Sequence, residues 1–262
     1  MPAKQARVRE VAAQALPPLP QGPNHTNSNA LHNIEYVGEL CHWVDFLRFV
    51  EIHIQGQTWS NKVIKYTPRL DGPEAESHLI GDETGLQGVF NHSVGFMVGK
   101  ILRAQSIDLQ FADFKCLGDP YPKTPDSILM TSIAHLKVIG ELKVPWVSAH
   151  QMSEAYEEET MLRHLLARPI KYMKDLDCMY GFMSNYCESI FLRQVFIGSR
   201  WAVEYSPVIQ ASTSYVKTDL GDLLATPIVS LRQCFLAIAA LAQTQGPVNN
   251  TTRMSEWVVP TK

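Results

Sequence analysis

The stretch that decides the reading runs from Pro125 to Val144, PDSILMTSIAHLKVIGELKV. Two apolar runs, 126–131 and 136–144, are separated by Ser132, Ile133, Ala134 and His135. Aliphatic and β-branched runs split by a short turn predict a β-hairpin. Asp126 opens its first strand. Glu141 and Lys143 sit two apart on the second, so both project from one face of the pleat. A hairpin sets the start of one strand beside the end of the next, which brings Asp126 toward Glu141 and Lys143. Two carboxylates beside an ammonium make a hard-oxygen site suited to Mg²⁺ or Mn²⁺, and the Leu142 carbonyl offers a further oxygen.

Outward from the hairpin, 81–103 reads as a helix. Asp82 or Thr84 caps it, and Leu86, Val89, Phe90, Phe96, Met97 and Ile101 recur at helical spacing. Glu83, in its first turn, is a candidate extra carboxylate. Alternation over 106–116 predicts a strand. After the hairpin, 149–173 reads as a long helix bent at Pro169. Its acids come first (Glu154, Glu157, Glu158, Glu159) and its bases last (Arg163, Arg168, Lys171, Lys174), the order a helix dipole favours. The same bases could form a strip that takes a phosphate backbone. Strands follow over 179–184, 189–196 and 201–209, while 44–54 reads equally as helix or strand. A last apolar helix over 220–243 serves as core or as a homodimer face. The order predicts an α/β or α+β sandwich with a mixed central sheet and additional N- and C-terminal helices. Residues 1–30 read as a flexible arm, 31–245 as a single domain and 246–262 as a tail.

Composition narrows the function. The chain has 262 residues, 45% apolar and 19% charged, with a formal net charge of −3. That supports a packed core and argues against a protein coated in phosphate-binding charge, but leaves room for a local phosphate site. No apolar run reaches the roughly 18 residues a membrane span needs. The N-terminus lacks a signal-peptide pattern. The five cysteines contain no C-x-x-C pair, which suits reduced thiols in an intracellular protein. Nine histidines show no H-x-x-x-H spacing, and no G-x-S-x-G elbow, Walker A loop or G-x-G-x-x-G fingerprint occurs. Zinc hydrolases, α/β-hydrolases and nucleotide-cofactor chemistry therefore have no support.

Pro125–Asp126, followed after a gap of fourteen residues by Glu141–Leu142–Lys143, resembles the PD-(D/E)XK nuclease superfamily. That superfamily includes restriction endonucleases, RecB-type nucleases and Holliday-junction resolvases. The stretches GELKVPW (140–146), IKYM (170–173) and MYGFMSNYCESIFLRQ (179–194) resemble a group of its fungal members. The resemblance covers about 80–210. It implies a restriction-endonuclease-like αβββαβ core, dependence on Mg²⁺ or Mn²⁺, and hydrolysis of nucleic-acid phosphodiesters, DNA ahead of RNA. By it, Asp126 and Glu141 bind metal, with Leu142 and Glu83 as further oxygen donors. Lys143 is catalytic, and Arg168, Lys171 and Tyr172 meet the substrate. Asp113–Phe114–Lys115 repeats the second half-motif without a comparable hairpin upstream. One departure stands out: RecB-like members place a Gln where this chain has Arg168, ahead of the aromatic matched by Tyr172. A cation there contacts phosphate, or marks a nuclease-like fold retained as a nucleic-acid- or protein-binding module.

Overall fold

The computed structural model describes residues 4–26, 31–66, 79–222 and 224–261. Before the hairpin the chain forms β1 (Lys4–Arg7), α1 (Val8–Ala13), β2 (Ile34–Tyr36), β3 (Glu39–His42), α2 (Phe46–Gly56) and β4 (Val63–Tyr66). A broken helix follows: α3 (Glu83–Phe90), a π-helical segment (Asn91–Phe96) and α4 (Met97–Ala104). The meander is β5 (Gln110–Ala112), β6 (Ser127–Met130) and β7 (Leu136–Leu142). Two helices come next, α5 (Met152–Glu157) and α6 (Glu159–Asp175), then β8 (Tyr180–Ser184), β9 (Glu188–Ile197), β10 (Arg200–Tyr205) and β11 (Ile209–Gln210). The chain closes with α7 (Leu231–Thr244) and β12 (Val258–Pro260).

The fold is mixed α/β around one large sheet, in the order β3-β10-β9-β8-β7-β6-β5, with β11 beside β9. The hairpin β6–β7 is antiparallel, and β7 runs parallel to β8 across the crossover made by α5 and α6. Alternation along β7 divides two cores. Val138 and Leu142 face a core shared with Phe90, Phe182 and Phe235, whereas Ile139 faces a second core shared with Leu166, Ile170 and Met173 of α6. Glu141 has the parity of Ile139, so the pleat turns its carboxylate toward α6. Gly140, on the opposite face, admits the Phe182 ring: a Cβ there would lie 2.1 Å from Phe182 Cζ.

The sequence expectations hold around the hairpin and fail where local signals were weak. The ambiguous 44–54 run is helical, with Phe46, Val50 and Ile54 buried. The strand expected over 106–116 shrinks to β5, because Asp113 accepts from the Lys115 amide at 2.8 Å and starts a 3₁₀ turn. That turn also disposes of the rival Asp113–Phe114–Lys115 motif. The long helix expected over 149–173 breaks at Glu158, not at Pro169. Glu158 is extended (φ −128°, ψ 105°) and ends α5 while opening α6, which continues through Pro169. The last helix starts at Leu231, not at 220. Ser230 caps it, and its hydroxyl accepts from the Gln233 amide at 3.2 Å while the Gln233 side chain accepts from the Ser230 amide at 3.0 Å. This helix is core: Phe235, Leu236 and Ala239 are buried. The expected arm and tail are corrected too. Residues 1–3 and 27–30 lie outside the described residues, but Val8, Val11 and Ala12 of α1 are buried, and β12 pairs with β2 behind a buried Trp257. Burying these side chains offsets the ordering entropy that the Pro-rich sequence between them suggested was unmet. No helix among the described residues is long and apolar enough to cross a membrane.

Candidate functional site

Asp126 immediately precedes β6, whose first residue, Ser127, pairs with Gly140 of β7. This register sets Asp126 against the end of β7, where its Oδ2 accepts from the Leu142 amide at 2.9 Å. Its Oδ1 accepts from Gln87 Nε2 of α3 at 2.9 Å. Both oxygens of Asp126 are thus oriented by fixed donors. Burial raises its pKa, the Leu142 amide and Lys143 pull it down, and the net shift is upward.

Lys143, one residue beyond β7, is almost wholly buried yet does not point into apolar core. Its Nζ lies 3.1 Å from Glu83 Oε2 and 3.2 Å from Glu141 Oε1. Burial alone would lower its pKa, but Glu141, Glu83 and Asp126 outweigh that and hold the ammonium charged. Glu83 reaches it from the first turn of α3, which Asp82 caps by accepting from the Gly85 amide at 2.7 Å. Glu83 is the solvent-facing member, its side chain 42% exposed against 1% for Glu141.

Glu141 carries the electrostatic tension. Arg168 Nη1 of α6 approaches the same Oε1 at 3.2 Å, and beyond these ion pairs neither carboxylate oxygen has a hydrogen-bond partner among the described residues. Burial and repulsion from Asp126 push the Glu141 pKa up to about 8, against the pull of the two cations. A buried carboxylate oxygen with no donor is costly unless something satisfies it. The oxygen-only donor set of Asp126, Glu141 and exposed Glu83 fits a hard divalent cation in kind. Among the described residues, however, no three His, Cys, Asp or Glu side chains close around a common metal point. The cations Lys143 and Arg168 hold the carboxylates in this arrangement.

Asp126, Glu141, Lys143, Glu83 and Arg168 therefore converge, and Leu142 contributes its amide to Asp126. Tyr172, expected to bind substrate, lies behind Arg168 rather than in the open part of the site. It is fully buried, and its hydroxyl accepts from Arg168 Nε at 2.7 Å, so it aims the guanidinium. Lys171 is not brought in either, since it pairs with Asp175 at 2.6 Å. Nor do the α6 bases form one strip: Arg163 pairs with Glu159 at 2.7 Å and donates to the Tyr36 and Gly38 carbonyls. Two residues escaped the sequence reading. Gln87 lies four residues after Glu83, hence on the same helix face, and that spacing was the available signal. His32 lies at the exposed rim, its pKa lowered to about 4 by partial burial and by the charges of Arg168, Lys143 and Lys123. No protein-family model, curated protein or solved structure matches this chain.

Proposed function

We infer that the chain is a divalent-metal-dependent phosphodiesterase of the PD-(D/E)XK kind, acting on nucleic acid through Asp126, Glu141, Lys143 and Glu83. One observation carries this reading. Four side chains from three separate elements meet at the end of β7, in the order and around the hairpin that the motif requires. The α–β–β–β–α–β succession from α3 to β8 is compatible with a restriction-endonuclease-like core.

In this mechanism Asp126 and Glu141 would hold the Mg²⁺ or Mn²⁺, with Glu83 as the accessory acid at the open side. Bound there, the metal would supply Lewis acidity toward a phosphoryl oxygen and acidify a water. Gln87 and the Leu142 amide orient the Asp126 carboxylate, and the metal would take over part of the charge that Lys143 and Arg168 now offer Glu141. Lys143 orients the attacking water and offsets charge that develops on the phosphate. Arg168, aimed by Tyr172, adds a second cation on the scissile side. Partial burial, together with the charges of Arg168 and Lys143, keeps His32 neutral at the rim and makes it a weak base.

A second reading, a nuclease-like fold retained for binding alone, is favoured by the two cations that already neutralise Glu141 Oε1. The two diverge experimentally. Purified protein is incubated with single- and double-stranded DNA and RNA in Mg²⁺ or Mn²⁺. Cleavage that Asp126→Ala and Lys143→Ala each abolish supports the enzyme. Cleavage that survives both substitutions refutes this site, and nucleic-acid binding without cleavage selects the second reading.

A further inference from the structure

The far end of the α3–α4 helix carries a different set of groups. His92, Phe96 and Lys100 follow one another at four-residue steps, and Arg103 comes one turn later. The Phe96 ring is 56% exposed. The His92 ring lies nearly parallel to it, at 6.3 Å and 11°. Lys100 Nζ sits 4.3 Å from the Phe96 centroid and donates to the Lys65 carbonyl at 2.8 Å, which ties α4 to β4. Lys62, Lys65, Lys100 and Arg103 wall a groove of about 370 Å³ over Val63 and Ile64. A second groove of about 520 Å³ shares Lys100 and Arg103 and runs beneath Phe96 to β5, the edge strand of the sheet. Its lining carboxylate, Asp113, already accepts from the Lys115 amide. Among the described residues, none of the four cations pairs with a carboxylate.

Among the described residues, four cations without a carboxylate partner and one lining carboxylate, Asp113, leave the two joined grooves net positive on a chain whose net charge is −3. The exposed ring among them narrows the partner. An acidic peptide would satisfy the charges but has no use for the ring, and a duplex keeps its bases stacked inside. A single strand uses both, with phosphates along the cations and a base on the aromatic face. We propose that this ridge is a binding surface for single-stranded nucleic acid, with Lys62, Lys65, Lys100 and Arg103 on the phosphates and Phe96 under a base. It lies apart from the carboxylate site: Arg103 is about 30 Å along the helix from Glu83 at ~1.5 Å per residue.

The test is fluorescence anisotropy with labelled oligo(dT) of roughly 20 nucleotides, longer than the ~4–16-nucleotide footprint of a single-strand groove. EDTA is present, so cleavage plays no part. The wild type should bind with an affinity that falls as salt rises. Lys65→Glu/Arg103→Glu should bind at least about 10-fold more weakly, with a log–log salt slope flatter by about 0.7 per lost contact. Phe96→Ala should weaken binding about 5- to 100-fold at an unchanged slope. Gly99 supplies a variant that leaves the charges alone. A Cβ there meets nothing within 4 Å, so Gly99→Met fills the larger groove and should abolish binding without lowering Tm. A failure of the metal site appears as lost cleavage in Mg²⁺, and a failure of the ridge as lost oligo(dT) binding in EDTA, so the two are told apart. Equal affinity in the charge-reversed protein and the wild type overturns the proposal. So does full competition by polyglutamate with no effect of Phe96→Ala, which would assign the ridge to an acidic protein.

Discussion

Arg168 Nη1 stands 3.2 Å from Glu141 Oε1, the oxygen that Lys143 Nζ also approaches at 3.2 Å. Two cations on one buried carboxylate oxygen join the second core helix to the hairpin. They also place a guanidinium at the position where the resemblance noted in the sequence leads to the expectation of an uncharged Gln. If that charge acts on the phosphate, its removal costs rate beyond any loss of stability. Arg168→Gln should lower the cleavage rate by about 10²-fold, the usual loss when one preorganised donor is removed. Glu141 is only 1% exposed, so Tm should fall as well, and the rates are compared where both proteins remain folded. Single-turnover kinetics check this, and an unchanged rate would reduce Arg168 to packing.

Gln87 donates to Asp126 Oδ1 at 2.9 Å, which places it behind that carboxylate. It is a positioning residue. Gln87→Ala should weaken metal dependence and activity by about 10- to 100-fold, as the loss of an orienting partner does. Gln87→Asn, one methylene shorter, should recover little, and Gln87→Glu should shift the metal titration further. A metal titration of the rate separates these outcomes from a general loss of stability, which would lower Tm instead.

Metal binding should itself stabilise the fold. At a metal concentration about 100-fold above Kd the linkage is about 2.7 kcal/mol, or roughly 5–10 °C in Tm for a chain of this size. Glu141→Ala should remove the whole Mg²⁺-dependent increment. Differential scanning fluorimetry with and without Mg²⁺ reads this directly. A wild-type Tm indifferent to Mg²⁺ and Mn²⁺ would favour the binding-module reading.

Which parts of this were legible in the sequence follows from the range of the interactions. The hairpin was legible because its strands are adjacent in sequence and their apolar runs are long. The Asp82 cap was legible because its partner, Gly85, is three residues away. The break at Glu158 was not, since a run of acids carries no breaker residue and only the packing of α5 and α6 sets the angle. The convergence of Arg168 on Glu141 was not legible either. It depends on α6 covering the face of β7 that carries Ile139, a contact between segments 27 residues apart in number. The α1 packing was hidden for a related reason: Val8 and Val11 share a core with residues of the distant α4 and α7, such as Val98 and Phe235.

Glu188 gives a pH prediction away from the candidate site. Burial pushes its pKa up, but donors from Ser153, Gln210 and the Met152 amide outweigh this and leave it lowered. Its Oε2 accepts from the Met152 amide at 2.7 Å, so it caps α5 from a neighbouring strand. A depressed carboxyl pKa stabilises the fold above the unfolded value of about 4.3, and the stabilisation is lost as pH falls through the folded value. Glu188→Gln should therefore be destabilised by about 1–3 kcal/mol at pH 7, and the difference from wild type should shrink below pH ~4. Urea denaturation at several pH values measures both. A gap that stays constant with pH would mean that the amide loses shape rather than charge.

Gly140 couples the core to the site. It precedes Glu141 on β7 and faces Phe182, which stacks on Phe90 at 5.7 Å and meets Phe235 edge-on at 4.9 Å. A methyl group at Gly140 would fall inside the Phe182 ring, which is packed among Phe90, Phe191 and Phe235. Either the ring shifts against Phe90 and Phe235, or β7 moves away from β8. Gly140→Ala should cost about 1–3 kcal/mol by overpacking. The compensating variant is Gly140→Ala with Phe182→Leu, which removes the ring that clashes. It should regain much of the lost stability, because neighbours in contact are not additive. Cleavage by the double variant then reports where the strand has settled. Restored stability with restored activity would show that only the clash mattered. Restored stability with activity still lost would show that Glu141 needs the close β7–β8 approach that Gly140 permits.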